Sequence, residues 1–231
     1  MEELDFTLQG GEGLMLACTK YAEGASARGI TAANIQLLRT SLDYASACNT
    51  AQKKAVEKVT NLTDSQNQLM AEGLGLIRKI QNAARSKYGE DNKTTMKEFH
   101  VGGPSLTTVK AMIAELKYMK SEATDRKEDL AEGGLEESDI AKSDTIGAKL
   151  TSTDALQENA KRVQKAATKT RNQSMKALAK AMRKIRNEAK VVFENQPEVL
   201  VEFEPMAEGR GRGGKENPPT PPPNPPEQPK Q

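Results

Sequence analysis

Tryptophan is absent from this 231-residue chain, and the aromatic share is only 3%. Sheets draw heavily on aromatic and β-branched side chains to pack a pleated surface, so a sandwich, a barrel or an α/β core is disfavoured. Proline is scarce until the chain nears its end: Pro104 and Pro197 are the only two before Pro205. Long helices are therefore free to run, because proline removes an intrahelical donor and clashes with the preceding turn. A single histidine, His100, and two cysteines, Cys18 and Cys48, offer no metal-ligand or redox spacing. No cofactor and no small-molecule substrate is expected. Apolar runs are short as well; none approaches the ~18 residues of a membrane span. The opening Met1-Glu2-Glu3-Leu4-Asp5 is acidic where a secretory signal would be basic and then apolar. These features point to a reducing cytoplasm and away from a membrane. Charge of one sign is missing too. Lys+Arg 34 against Asp+Glu 32 leaves +2, so no global charge advertises a partner.

What the chain has is charge without aromaticity: 29% charged residues and a mean hydropathy of -0.69. That composition suits long, solvated helices. Residues 1–30 are Gly-rich, and the patterning predicts a short helix around 12–23, closed by Gly29. Thr31 stands as a helix N-cap. Behind it Ile35, Leu38, Leu42, Ala45, Cys48, Ala55, Val59, Leu62 and onward to Tyr88 recur in steps of three and four. Gly89 stops that helix, and 89–104 reads as a loop. Ser105 or Thr107 is placed to cap a second helix with the stripe Val109, Met112, Ile113, Leu116 and Met119, ending at Gly133-Gly134. Residues 133–153 read as a solvated connection. A last long helix starts at Asp154 and carries Leu156, Ala160, Val163, Ala167, Met175, Leu178, Met182, Ile185 and Val192; Pro197 ends it or opens a short turn. The expected fold is all-α: an antiparallel pair of long helices with a shorter connecting helix, forming a helical bundle over 31–203, preceded by the segment 1–30 and followed by a disordered tail, 204–231.

A repeat lies inside this pattern. Shifted by 105 residues, Thr63, Asn67, Gln68, Met70, Arg78, Lys79, Ile80, Asn82 and Ala84 fall on identical residues, from Thr168 to Ala189. The apolar register matches with them, which favours duplication of a long helix.

The series Gly29-Ile30-Thr31-Ala32-Ala33-Asn34-Ile35, Tyr88-Gly89-Glu90-Asp91, Gly102-Gly103 and Met182-Arg183-Lys184-Ile185 through Lys190, with Pro197, resembles a family of uncharacterised bacterial helical proteins of similar size. The resemblance spans roughly 12–203. It implies paired long helices joined by a loop with an acidic turn and a Gly-Gly, and it implies no activity and no site residue. The chain departs from that pattern by some forty extra residues after Gly103 and by lacking a tryptophan near Met182.

Catalytic constellations are missing: His100 has no Ser or Cys partner at informative spacing, and Gly10-Gly11-Glu12-Gly13 lacks the Lys-Ser/Thr of a phosphate loop. Cys48 falls on the apolar stripe and reads, like Cys18, as a small core residue. The chain is not expected to be an enzyme. The most pointed charge feature is 159–190, with eleven bases and one acid, Glu188. Lys176, Lys180, Arg183 and Lys184 form a candidate polyanion contact, since each phosphate neutralised adds to a salt-dependent affinity. The acidic stretch 115–144 is an internal partner that would neutralise this face, so nucleic acid is not the favoured partner. In the tail, Pro219, Pro222 and Pro225 have the spacing that polyproline-binding domains dock, or else belong to a spacer. Small residues along the stripes bury little apolar area per turn, so a homo-oligomer is expected. The leading expectation is a structural or scaffolding protein that self-assembles through its helices.

The tail should be dispensable for folding. Met206 is the last apolar side chain larger than alanine, and eight of the eleven prolines fall between 218 and 229. Such a segment has nothing to bury. Deleting 207–231 is expected to leave the melting temperature unchanged in calorimetry; a loss of several degrees would show that the tail clasps the helices.

Overall fold

The computed structural model describes residues 2–24 and 29–204, with side chains from Asp5 onward; the Pro-rich tail and its three candidate prolines lie outside the described residues. Among the described residues 86% are helical and none lies in a strand. The helices run α1 Glu2–Lys20, α2 Ala32–Tyr88, α3 Lys93–Glu98, α4 Val109–Asp125, α5 Lys127–Glu132, α6 Glu137–Val192 and α7 Pro197–Phe203. The two long ones, of 57 and 56 residues, pack together as the antiparallel pair expected.

Several boundaries differ from the sequence reading, each for a local reason. Thr31 does cap α2, its hydroxyl accepting from the Asn34 N–H at 3.2 Å. The cap of α4 is Thr108, accepting from the Ala111 N–H, in place of Ser105 or Thr107. The supposed connection 133–153 is mostly helix. Ile140, Ser143, Ile146 and Leu150 are all buried there, and the small Ser143 had hidden the stripe. The start of α6 is fixed by Asp139, whose carboxylate accepts from the Glu136 N–H at 3.2 Å, half of a capping box. The loop after Gly89 contains α3, capped by Asn92. The first helix is longer than 12–23 because Phe6, Gly10 and Gly11 also pack inward.

A shift of 105, falling to 104 past the long helices, pairs six of the seven helices. Shifted by 105, the bounds of α2 become 137–193, against Glu137–Val192 for α6, and those of α1 become 107–125, against Val109–Asp125 for α4. Gly29 and Gly134, also 105 apart, both take positive φ, at 136° and 90°, a conformation that costs glycine least. Each is followed by a buried aliphatic, Ile30 or Leu135. Past the long helices the shift falls to 104, and the N-caps of α3 and α7 are Asn92 and Gln196. The chain is thus two copies of one helical unit, longer in scope than the helix repeat seen in the sequence.

Contacts divide the chain into two compact units, one joining the stretch up to Leu42 with that from Leu178, the other being Asp43–Ala177. In the first unit, α1 and α7 pack together. Its core holds Leu14, Cys18, Ile30, Leu38, Leu178 and Ile185. Tyr21, Phe193 and Phe203 close it as an aromatic group, with ring centroids 5.5–6.2 Å apart. In the second unit α4 and α5 cover the end of α2, and Ile77, Ile80, Phe99, Met112, Leu116 and Leu130 belong to one buried cluster. A methyl on Gly133 would fall on the backbone of Ala83, so only glycine lets this corner approach α2. The cysteines are free and buried, as expected for small core residues.

The copies meet their packing demands in reciprocal ways. In the first unit Gly11 faces Leu178; a methyl there would lie 3.5 Å from Leu178 Cδ1 and 2.9 Å from Leu42 Cδ1. In the second unit the sizes are exchanged, since Leu116 and Met112 face Gly73. Tyr21 donates to Glu202 at 2.8 Å and lies beside Phe203. Its counterpart Arg126 bonds Glu98 at 2.6 Å and lies over Phe99, 5.2 Å from the ring centroid.

One contact fixes the register of the long helices in both units. In the second, Lys79 Nζ lies 2.5 Å from Asp139 Oδ2; in the first, Lys184 Nζ donates to Asn34 Oδ1 at 2.7 Å. Lys79 and Lys184 correspond under the shift, as do Asn34 and Asp139. Asp139 is only 3% exposed, and Lys79, then Lys142 and the Glu136 N–H, outweigh burial and hold its carboxyl down to about 2 from 3.8. Because the folded value is depressed, this stabilisation is complete above about pH 4 and is lost as pH falls toward 2. Asp139→Asn should fold, since asparagine serves at position 34. It is expected to cost about 1–2 kcal/mol at pH 7, the gap between a charged and a neutral hydrogen bond. Thermal melts of variant and wild type should converge near pH 2; a gap that persists there would place the effect in packing rather than charge.

Candidate anion-binding cleft

The first unit holds a cleft of about 450 Å³ between α1, α6 and α7. Helical periodicity builds it. On α6, Ala179, Met182, Arg183 and Arg186 recur at three- and four-residue steps and so share a face. Phe6 and Gly10 of α1 and Leu200 and Phe203 of α7 complete the wall. Gly10 allows the close approach: a methyl there would stand 3.2 Å from Met182 Cε. The floor is apolar and the rim cationic, with Arg183, Arg186 and Lys190 against one carboxylate, Glu204.

Arg186 is the unusual member. It is half-buried, and burial pushes its guanidinium below the usual arginine value while leaving it charged at neutral pH. Its Nε–H donates to the Phe203 carbonyl at 3.2 Å, and its terminal nitrogens have no partner among the described residues.

The second unit carries the corresponding cleft, about 690 Å³, lined by Leu74, Ile77, Arg78 and Gln81 of α2. These are the counterparts of Ala179, Met182, Arg183 and Arg186. Here Gln81, His100 and Glu115 are satisfied from within. Gln81 donates to the carbonyls of Phe99 and His100 at 3.0 and 3.1 Å. His100 Nδ1 lies 2.8 Å from Glu115, and its ring stacks on Tyr118 with centroids 4.4 Å apart. The chain then turns back, with the Val101 N–H reaching the Met96 carbonyl at 2.9 Å and His100 at φ 48°, and the 101–106 segment forms one wall.

The four basic residues singled out in the sequence have different fates. Lys176, in the second unit, is exposed and unpaired among the described residues. In the first unit Lys180 and Arg183 are exposed and likewise unpaired, while Lys184 is held by Asn34. Only Arg183 lines the cleft. The acidic stretch 115–144 does not neutralise this helix face. Its carboxylates pair inside the second unit with Lys79, Lys87, Lys120, Arg126, Lys127 and Lys142. Arg186 and Lys190 were not distinguished in the sequence from the other bases of 159–190. The available signal was the 105-residue shift, which sets Arg186 against a neutral glutamine.

Near the cleft, Glu188 takes a 2.5 Å hydrogen bond from the Asn34 amide on Oε1, while its buried Oε2 has no partner. Burial, with this carboxylate adding to it, pushes the Cys18 thiol up to about 11, so Cys18 stays protonated and unreactive at neutral pH. Among the described residues no three His, Cys, Asp or Glu side chains gather to hold a metal ion, and no helix is long and apolar enough to cross a membrane. Comparison with family models, curated proteins and solved structures finds no match to this chain.

Proposed function

We propose that the chain is a non-catalytic scaffold whose long helices self-associate. The observation that carries this reading is the thin middle of the second unit. Between Asn49 and Gly73 no residue of α2 is buried, and between Ala160 and Ser174 none of α6 is. Leu156 and Val163, seven residues apart on one face of α6, are each 53% exposed. Two helices leave such a face to solvent, and a second copy of the pair would cover it as in a four-helix bundle. Light scattering at micromolar concentration is expected to give a multiple of 25.1 kDa. Leu156→Glu with Val163→Glu should return the monomer mass while leaving helix content intact. A wild-type monomer would overturn the proposal.

A second reading has an observation of its own. Lys180 and Arg183 are exposed without an ion-pair partner among the described residues, which favours contact with a polyanion. Phosphate-driven affinity is greatest at low salt. A gel shift with duplex DNA and with RNA at about 50 mM salt is therefore expected to show binding that fades by about 200 mM. No shift at the lower salt would remove this reading.

A further inference from the structure

We propose that the first unit's cleft binds an amphiphilic carboxylate, its acid group on Arg186 and its apolar body on the half-buried Phe6 and Leu200. The argument comes from what differs between two clefts built on one plan. Arg186 stands where the second unit has Gln81, and both side chains donate to the backbone carbonyl of a corresponding phenylalanine, Phe203 or Phe99. A neutral amide is therefore enough to secure that carbonyl. The guanidinium adds a positive charge and two further donor nitrogens that the described fold leaves unused. The acid of the second cleft, Glu115, has Gly10 as its counterpart, while the first cleft has Glu204 where the second has His100, so each is lined by one carboxylate. The cations differ: Arg183, Arg186 and Lys190 line the first cleft and Arg78 and Lys97 the second, which leaves the first the more positive.

The apolar wall dictates the rest of the ligand. Met182 and Phe203 are already buried by the fold, while Phe6 and Leu200 are half-buried, so a fatty or aromatic acid gains apolar contact at Phe6 and Leu200 that a free phosphate or sulfate would not make. A site of this volume lies within the 300–1,000 Å³ range of small-ligand pockets. A carboxylate matches the planar guanidinium with paired, charge-assisted hydrogen bonds. Arg183 and Lys190 add to the same field, and Glu204 opposes it alone. Val101, whose N–H bonds the Met96 carbonyl at the wall of the second cleft, has Pro205 as its counterpart, and proline has no N–H to donate.

The inference does not rest on self-association, and its test reads neither mass nor nucleic-acid binding. Calorimetric titration of the full chain with decanoate, below its micellar concentration, is expected to show saturable binding of one molecule per chain. Decanol, with the same body and no charge, should bind at least tenfold more weakly. Arg186→Gln, the residue that position 81 already uses, should keep its thermal melt in the absence of ligand and lose the preference for the acid. Three results would overturn the proposal: no saturable decanoate binding, equal affinity for decanoate and decanol, or an unchanged preference in Arg186→Gln. Binding seen only after deletion of 205–231 would overturn it as well, because the cleft would then be the seat of the chain's own tail.

Discussion

A pair of helices each longer than fifty residues has to hold one register while offering itself little apolar area. The contact between the third residue of one long helix and a lysine near the end of the other is what sets that register, and it is made twice. Lys79 meets Asp139, and Lys184 meets Asn34. A slip by one turn would move either lysine about 5.4 Å from its partner and would leave the almost wholly buried Asp139 with only Lys142 and the Glu136 N–H at the start of its own helix. Removing one partner of a buried charge is costlier than losing a surface pair. Between the ends the seam is polar rather than greasy: buried Gln157 donates to Thr63 at 2.9 Å, and Gln66 donates to Asp154 at 3.1 Å. Such pairs add little to stability but strongly disfavour other alignments.

The ends supply the apolar burial that the middle lacks, and the duplication shows how. Each unit conserves the sum of what fills a contact more than the identity of either side. Gly11 against Leu178 becomes Leu116 against Gly73, and Cys18 becomes Ala123 at a site buried in both. Cores tolerate exchanges that keep total volume and penalise those that leave a void or an overlap. Polar devices are exchanged by the same logic. Tyr21 and Arg126 both satisfy a glutamate on the short helix that follows a long one, α7 or α3, while covering a phenylalanine, one with a ring and the other with a guanidinium plane.

The helical class, the antiparallel pair, the cap at Thr31 and the stop at Gly133-Gly134 were legible because periodicity and glycine placement are local signals. The first half of α6 was not. Ser143 and Gly147 interrupt its stripe, Glu137, Asp139 and Asp144 make it look solvated, and only the packing of α2 and α4 shows that Ser143 is inside. The repeat was legible over α2 and α6, where Arg78-Lys79-Ile80 is copied outright, but not over α1 and α4. There the partners differ in size by design of the opposing surface, so a comparison of residues sees Gly11 and Leu116 as unrelated. The basic face of α6 was visible as charge. Which of its bases are held and which are unpaired depended on Asn34 and on the acids of 115–144, and those pairings are tertiary.

Duplication also separates what the fold requires from what it does not. Where both copies keep a group in the same bonded role, as Lys79 and Lys184 do, packing and register account for it. At position 186 that explanation stops. The role shared with Gln81 is one hydrogen bond to a carbonyl, and burying part of a guanidinium to make it costs more desolvation than burying an amide. The first cleft keeps one carboxylate, Glu204, where the second has His100, so the acid at position 115 has moved rather than vanished. Arg186 still carries a charge that the shared hydrogen bond does not need, and its terminal nitrogens find no partner among the described residues; an anion is the chemistry that would supply one.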